Sequence, residues 1–254
     1  MRGILDDIAG RWHRYETAAV SRQIADCDAM FAGDTVESYL MVGRSAIELI
    51  AVAMIAARKA DVASVLDLPC GAGRVTRHLR AFFPDAELFV SDIDKNGERF
   101  AVDAFAARAL AAPPDFDTPP ARSFDLIFCG SLLTHLPERR FIAAIDWLSA
   151  ALASGGVLVA TLHGRRADHA ERTFNHHIDP AKWQRVREGA FAGGFAFVET
   201  ERRDGAVYGY SLTAPSWVMR LAERRPLLRV IGYQEAAWND HQDAVVLQRK
   251  SLDV

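Results

Sequence analysis

Two short constellations in the first hundred residues have the residue types and spacing of a nucleotide site. The first is Val65-Leu66-Asp67-Leu68-Pro69-Cys70-Gly71-Ala72-Gly73-Arg74-Val75-Thr76-Arg77-His78-Leu79: an apolar run ending in an acid, two glycines, then helix-forming residues. Glycine adopts backbone angles that other residues resist and, lacking a Cβ, lets a ligand approach the main chain. Free N–H groups at the following helix start favour a carboxylate or another anion. The second constellation is Leu88-Phe89-Val90-Ser91-Asp92-Ile93-Asp94. It sets Asp92 19 residues beyond Gly73, close to the ~20-residue offset at which an acid accepts ribose hydroxyls.

The same spacing tests particular nucleotides. A dinucleotide fingerprint needs a third small residue, where this chain has Thr76, and no Gly-Lys-Ser/Thr follows the glycines to make a P-loop. A nicotinamide-dependent oxidoreductase would still use this strand and this ribose acid, and a non-catalytic binding protein would keep the pocket. On these residues alone both alternatives stand.

Histidines supply the other chemistry. His135 lies in Gly130-Ser131-Leu132-Leu133-Thr134-His135-Leu136-Pro137, just after the apolar run 124–129. The carboxyl end of such a strand is where doubly wound sheets hold ligands. An imidazole of ordinary pKa ~6.5 there suits a general base. His163, after the run 157–162, and His241, before the run 244–248, are rivals; each also reads as a structural residue. Tyr208, Tyr210 and Trp217 stand with His241 in a stretch that mixes aromatics with short polar groups. That mixture suits an acceptor whose apolar ring face stacks and whose rim carries hydroxyls, or it simply packs an insertion onto the sheet. His176-His177-x-Asp179 and Asp240-His241-x-x-Asp243 complete no zinc ligand spacing, so no metal is expected.

These residues need a scaffold that brings strand ends together. Apolar periodicity predicts one or two amphipathic helices over 4–30, then a broad helical stripe from Tyr39 to Met54 capped by Asp34 or Thr35. Strand and helix then alternate: 64–68, 75–82, 88–90 and 97–110, the βαβ pattern of a parallel sheet. A proline-rich loop at 111–120 follows. Beyond it come a strand at 124–129, a helix at 141–152, a Gly155-Gly156 turn, strand five at 157–162, a helix at 181–190, strand six at 195–199 and strand seven at 244–248. About forty residues separate the last two strands, long enough to be functional or locally structured. The fold class is α/β, a Rossmann-like doubly wound sheet with N-terminal helices.

Asp67-x-x-x-Gly71-x-Gly73 after a strand resembles the first motif of class I S-adenosylmethionine (SAM) dependent methyltransferases, and Asp92 matches the second. The block from Gly130 to Pro137 resembles the fourth, and the helix, Gly-Gly turn and strand of 141–162 follow in the family's order. Pro69 departs from it, standing where the family often has glycine. The resemblance implies SAM as cofactor and a seven-stranded sheet, mostly parallel with an antiparallel last strand. It implies a lid from residues 1–60, with Tyr39 of Tyr39-x-x-x-Gly43 over the cofactor, and a catalytic domain over 61–254 with a substrate-side insertion at about 203–242. Asp92 with Ile93 would serve the ribose and its surroundings, Asp115 and Phe116 the adenine with Asp117 a rival, and Cys129, Gly130 and Ser131 the wall after strand four. The motifs look most like bacterial enzymes acting on small molecules or glycans. No Asn-Pro-Pro-Tyr sequence is present, which steers the reading from amide and adenine nitrogens toward O-methylation, with His135 as base.

Composition sets the remaining bounds. The 254 residues, half of them hydrophobic, suffice for one large α/β domain. A net charge of -3 with dispersed arginine pairs argues against nucleic acid. Cys27, Cys70 and Cys129 form no C-x-x-C motif, which fits a reducing compartment. Charges at Asp6, Asp7, Arg11, Arg14 and Glu16 break any leader core, and the longest apolar run, 46–57, is interrupted by Glu48. The expectation is a cytoplasmic protein without a membrane span.

Overall fold

The computed structural model describes residues 2–31, 33, 35–203 and 206–251. Helix α1 (Arg2–Thr17) and helix α2 (Val36–Ala57) precede a sheet and its helices: β1 (Ser64–Asp67), α3 (Thr76–Phe82), β2 (Glu87–Val90), α4 (Lys95–Phe105), β3 (Arg108–Ala109), β4 (Phe124–Cys129), α5 (Glu138–Ala150) and β5 (Leu152–Leu162). There follow α6 (Arg165–Ala170), α7 (Pro180–Gly193), β6 (Phe195–Arg203), β7 (Ala206–Thr213), α8 (Pro215–Glu223), β8 (Leu228–Trp238) and β9 (Gln242–Arg249).

Seven strands form one sheet in the order β3-β2-β1-β4-β5-β9-β8. The first five run parallel, and β9 is antiparallel to both β5 and β8. Strand residues alternate between two cores, as the two-residue period of a pleated strand dictates. Val65, Val90, Phe128 and Val159 face α1 to α4, whereas Leu66, Phe89, Ile127 and Leu158 face α5 and α8. The order reverses between β1 and β4, so the loops after these strands open into one crevice.

Strand six needs correction. Residues 195–199 do form a strand, but β6 pairs with β7 in a separate two-stranded sheet. The sixth strand of the main sheet is β8, at the edge beside β9. The long connection thus resolves into a hairpin, helix α8 and an edge strand. Helix α7 packs on the hairpin through Trp183, Val186 and Ala190 against Leu212.

At the amino end, one helix ends at Thr17 and the chain runs without regular structure to a 3₁₀ turn at Ala29–Phe31. Thr35 caps α2, its hydroxyl accepting the N–H of Ser38 at 3.1 Å; Asp34, the other expected cap, lies outside the described residues. Helix α2 is long and apolar enough to cross a membrane by composition, yet half of its apolar window is buried in the protein, where Ile47, Ile50 and Met54 join the first core.

Candidate active site

The turn after β1 is shaped by its two glycines. Gly71 and Gly73 have φ of +51° and +80°, a region in which side-chain-bearing residues are strained. A Cβ on Gly73 would meet the Phe105 ring at 2.2 Å, so this glycine seats the turn on α4. A Cβ on Gly71 would meet nothing within 4 Å, so this glycine borders open space. One serves the fold, and the other leaves the main chain bare to a ligand.

Asp92 closes the far wall. Its carboxylate accepts the N–H of Gly71 at 2.7 Å and of Asp94 at 2.9 Å, while Glu98 accepts the N–H of Asp92 at 2.8 Å. Burial pushes the Asp92 carboxyl upward, partly opposed by the N–H donors of Asp94 and Gly71. Ile93 beside it is 64% exposed, a flat apolar surface next to an oriented acid. Asp67 lies beneath, fully buried, accepting the Thr76 hydroxyl at 2.6 Å. Burial raises its pKa to about 7.

Tyr39 is buried with its hydroxyl donating to Asp28 at 2.5 Å. The Arg74 and Arg77 guanidinium groups lie 5.6 and 5.1 Å from its ring centroid. Arg77, itself buried, donates to the carbonyls of Gly73, Ser21 and Gln23. The segment before α2 is thereby tied to the glycine turn.

After β4, Cys129 is fully buried, and burial drives its thiol well above the ordinary range. Ser131 sits at φ +61°, an uncommon position for a residue with a side chain. It is held by a closed network: Ser131 N–H donates to Thr161 Oγ1 at 2.8 Å, Thr161 to Gln242 Oε1 at 2.6 Å, and Gln242 Nε2 to Ser131 Oγ at 2.6 Å. The strained loop is thus tied to β5 and to the start of β9.

A cleft of about 270 Å³ opens beside this network. His135, His163, His241 and Tyr210 all line it. His135 Nδ1 donates to the Gly209 carbonyl at 2.8 Å, and the ring stacks on Tyr208 at 4.4 Å and 17°. His163 stacks on Tyr210 at 5.8 Å. Burial first, then His135 and His241, hold its pKa down to about 3; burial lowers that of His241 as well. Burial thus favours the neutral form of both rings. Gly209 is needed in this geometry, because a Cβ there would lie 2.0 Å from the Val198 carbonyl across the hairpin.

Not every expected residue lines the cleft. Trp217 packs with Phe141 and Phe195 at 5.2 and 4.8 Å in the second core, so it anchors α8 instead of lining the cleft. Asp115 pairs with Arg140 at 3.2 Å and Phe116 leans on Trp147. Both turn toward α5, and their described contacts include none with the glycine turn or Asp92. Sequence reasoning passed over Glu171 and Trp183, which line the cleft with Trp238 of the aromatic stretch and with His177, weighed there only as a metal ligand; it also passed over the bridge between Thr161 and Gln242. The polar pair His163-Gly164 at the end of an apolar strand was the available signal for that region.

Among the described residues, no group of three or more His, Cys, Asp or Glu is placed to hold a metal ion. A family model described as a methyltransferase domain matches residues 44–194, more than half of the chain. No curated protein matches it. Among solved structures, the chain is similar to a SAM-dependent methyltransferase from Clostridium acetobutylicum ATCC 824, with 14% identity over 88% of this chain and 96% of that one and a TM-score of 0.54. It is similar to the sugar N-methyltransferase KedS8 from Streptoalloteichus sp ATCC 53650, with 18% identity over 92% and 99% and a TM-score of 0.55. It is similar also to the N-methyltransferase NodS from Bradyrhizobium japonicum WM9, with 16% identity over 96% and 98% and a TM-score of 0.51. At such identities the likeness is one of fold, and the family match removes the nicotinamide alternative. With its glycine turn, oriented acid and seven-stranded sheet, the chain belongs to the class I SAM-dependent methyltransferase family.

Proposed function

We propose that this enzyme methylates a hydroxyl of a small molecule or glycan, with His135 as the general base. The observation that carries this reading is the hydrogen bond from His135 Nδ1 to the Gly209 carbonyl. It assigns the neutral ring's proton to Nδ1 and leaves Nε2 as the basic atom.

The residues of the cofactor end fit SAM. Open space over Gly71 admits a ligand against the main chain, Asp92 offers oriented oxygens to two ribose hydroxyls, and Ile93 offers a face to a purine. Gly73 and Asp67 support this cradle, Tyr39 closes the side of residues 1–60, and Cys129, Gly130 and Ser131 form the wall toward the cleft. Bound SAM supplies an electrophilic methyl on a positively charged sulfur, which leaves the protein to align, exclude water and take a proton.

The proton of the acceptor hydroxyl passes to His135 Nε2 as its oxygen attacks. The imidazolium keeps its Nδ1–H on the Gly209 carbonyl, and the Tyr208 ring fixes its plane. Neutral His163 and His241, with Tyr210, present ring faces and hydrogen-bonding atoms to a hydroxylated acceptor. The free cysteines Cys27, Cys70 and Cys129 accord with a reducing cytoplasm.

Methyl transfer from labelled SAM to a panel of hydroxylated acceptors, with mass spectrometry of the products, tests the proposal. Methyl ethers are expected, and their formation should fall sharply in His135→Ala. Methyl found on nitrogen, or near-normal turnover in the variant, would overturn it.

A further inference from the structure

Glu171 is a buried acid that neither the cofactor site nor the proton transfer uses. It opens a π-helical turn, Glu171–Asn175, directly after α6; such single turns re-aim side chains and recur at functional sites. The residue is 6% exposed and lines the cleft. Its Oε1 accepts the N–H of Ile178 at 2.6 Å, which fixes the direction of the carboxylate.

The surrounding charges pair without it. Asp168 takes Arg187 at 2.8 Å and Arg172 at 3.3 Å, and Arg166 takes Asp240 at 2.9 Å. Among the described residues Glu171 has no ion pair. Of the residues lining the cleft, only Arg74 and Glu171 carry formal charges beside the imidazoles, and Arg74 belongs to the glycine turn. Burial lowers the pKa of the nearby His163 to about 3 and lowers that of His241 as well, which disfavours the cationic form of either ring beside the acid. A carboxylate only accepts hydrogen bonds, and covering it with an acceptor that offers no donor leaves a desolvated, uncompensated charge.

We infer that Glu171 selects an acceptor carrying a protonated amine beside its hydroxyls, and that it holds the ammonium group as an anchor. This rests on the reading of the cleft as the acceptor site. A protonated amine has no lone pair for attack, so the anchored nitrogen stays unmethylated while a neighbouring hydroxyl reacts at His135. The complementary charge also disfavours acceptors bearing carboxylate or phosphate in this part of the cleft.

A matched pair of probes tests the inference: trans-2-aminocyclohexanol, a protonated amine beside a hydroxyl on a six-membered ring, and its neutral counterpart trans-1,2-cyclohexanediol. Each is titrated into protein saturated with S-adenosylhomocysteine (SAH), wild type and Glu171→Gln, following the histidine ring resonances by NMR. Glutamine keeps an oxygen for the Ile178 N–H, so the turn is preserved while the charge is removed. The amino alcohol is expected to bind wild type about tenfold or more tightly than the diol, and to lose that advantage in the variant. Equal binding of the two probes to wild type, binding of neither, or an amine advantage retained in Glu171→Gln overturns the inference. If the variant fails to fold, the wild-type comparison decides alone. Calorimetry with SAH, run first, separates the two levels: no SAH binding would sink the methyltransferase site itself, whereas SAH binding with indifferent probes sinks only the role of Glu171.

Discussion

The carboxylate of Asp92 accepts the backbone N–H of Gly71 at 2.7 Å across 21 residues of chain. The acid is therefore aimed before a ligand arrives, and each oxygen retains a further lone pair for a ribose hydroxyl. Asp92→Ala should weaken SAH binding by about 10- to 150-fold, the equivalent of one charge-assisted hydrogen bond of roughly 1.5–3 kcal/mol. Calorimetric titration checks it, and unchanged affinity would remove Asp92 from the site.

The two glycines of the turn should separate under mutation. Gly71→Ala adds a methyl group into open space, so its stability cost is the backbone penalty of a positive φ, about 1–2 kcal/mol, while SAH binding should be lost. Gly73→Ala drives its methyl into Phe105 and should destabilise by roughly 2–4 kcal/mol. Thermal melts beside SAH titrations distinguish the pair; equal melting temperatures would contradict the assignment.

His135→Ala should lower kcat by about 10²–10⁴, the usual range for a general base, and leave SAH affinity within about twofold. A loss confined to KM would make His135 a binding group instead.

His163 makes the fold sensitive to acid. Its folded pKa of about 3 lies below the unfolded value of ~6.5, so the native state binds fewer protons and stability falls as pH drops through that window. The full effect approaches about 4–5 kcal/mol between pH 7 and pH 3. Urea unfolding at pH 7.5 and 4.5 should show a smaller loss in His163→Phe than in wild type, where His78, held near pKa 4, contributes in the same direction. An identical loss in both proteins would show that His163 takes up its proton without cost.

The glycine turn and the acid after β2 were legible because their signals are local. A turn needing two positive φ values must show glycines, and an acid at a strand end must stand at a fixed offset from them. The cleft is assembled from residues far apart in the chain. Strand β6 was readable as a strand, but its partner was not, since alternation of apolar residues specifies a face and not a neighbour. Trp217 shows the same limit: an aromatic among polar residues reads alike whether it stacks on a ligand or, as here, on Phe141 and Phe195. Glu171 carried no signal, because only the π-helical turn and the pairing of the surrounding charges distinguish it from a solvated acid.

Among the described residues the hairpin of β6 and β7 shares no ladder with the main sheet, yet it supplies Gly209 to orient His135 and the Tyr208 and Tyr210 rings beside it. The rings around His135 are thereby built on a unit separate from the sheet that carries the glycine turn. On the proposed reading, changes in the length or composition of this hairpin should alter which molecules are methylated while the register of the seven-stranded sheet stays unchanged. Under that proposal, the separation gives the scaffold a route to diversify its acceptors without first losing its donor.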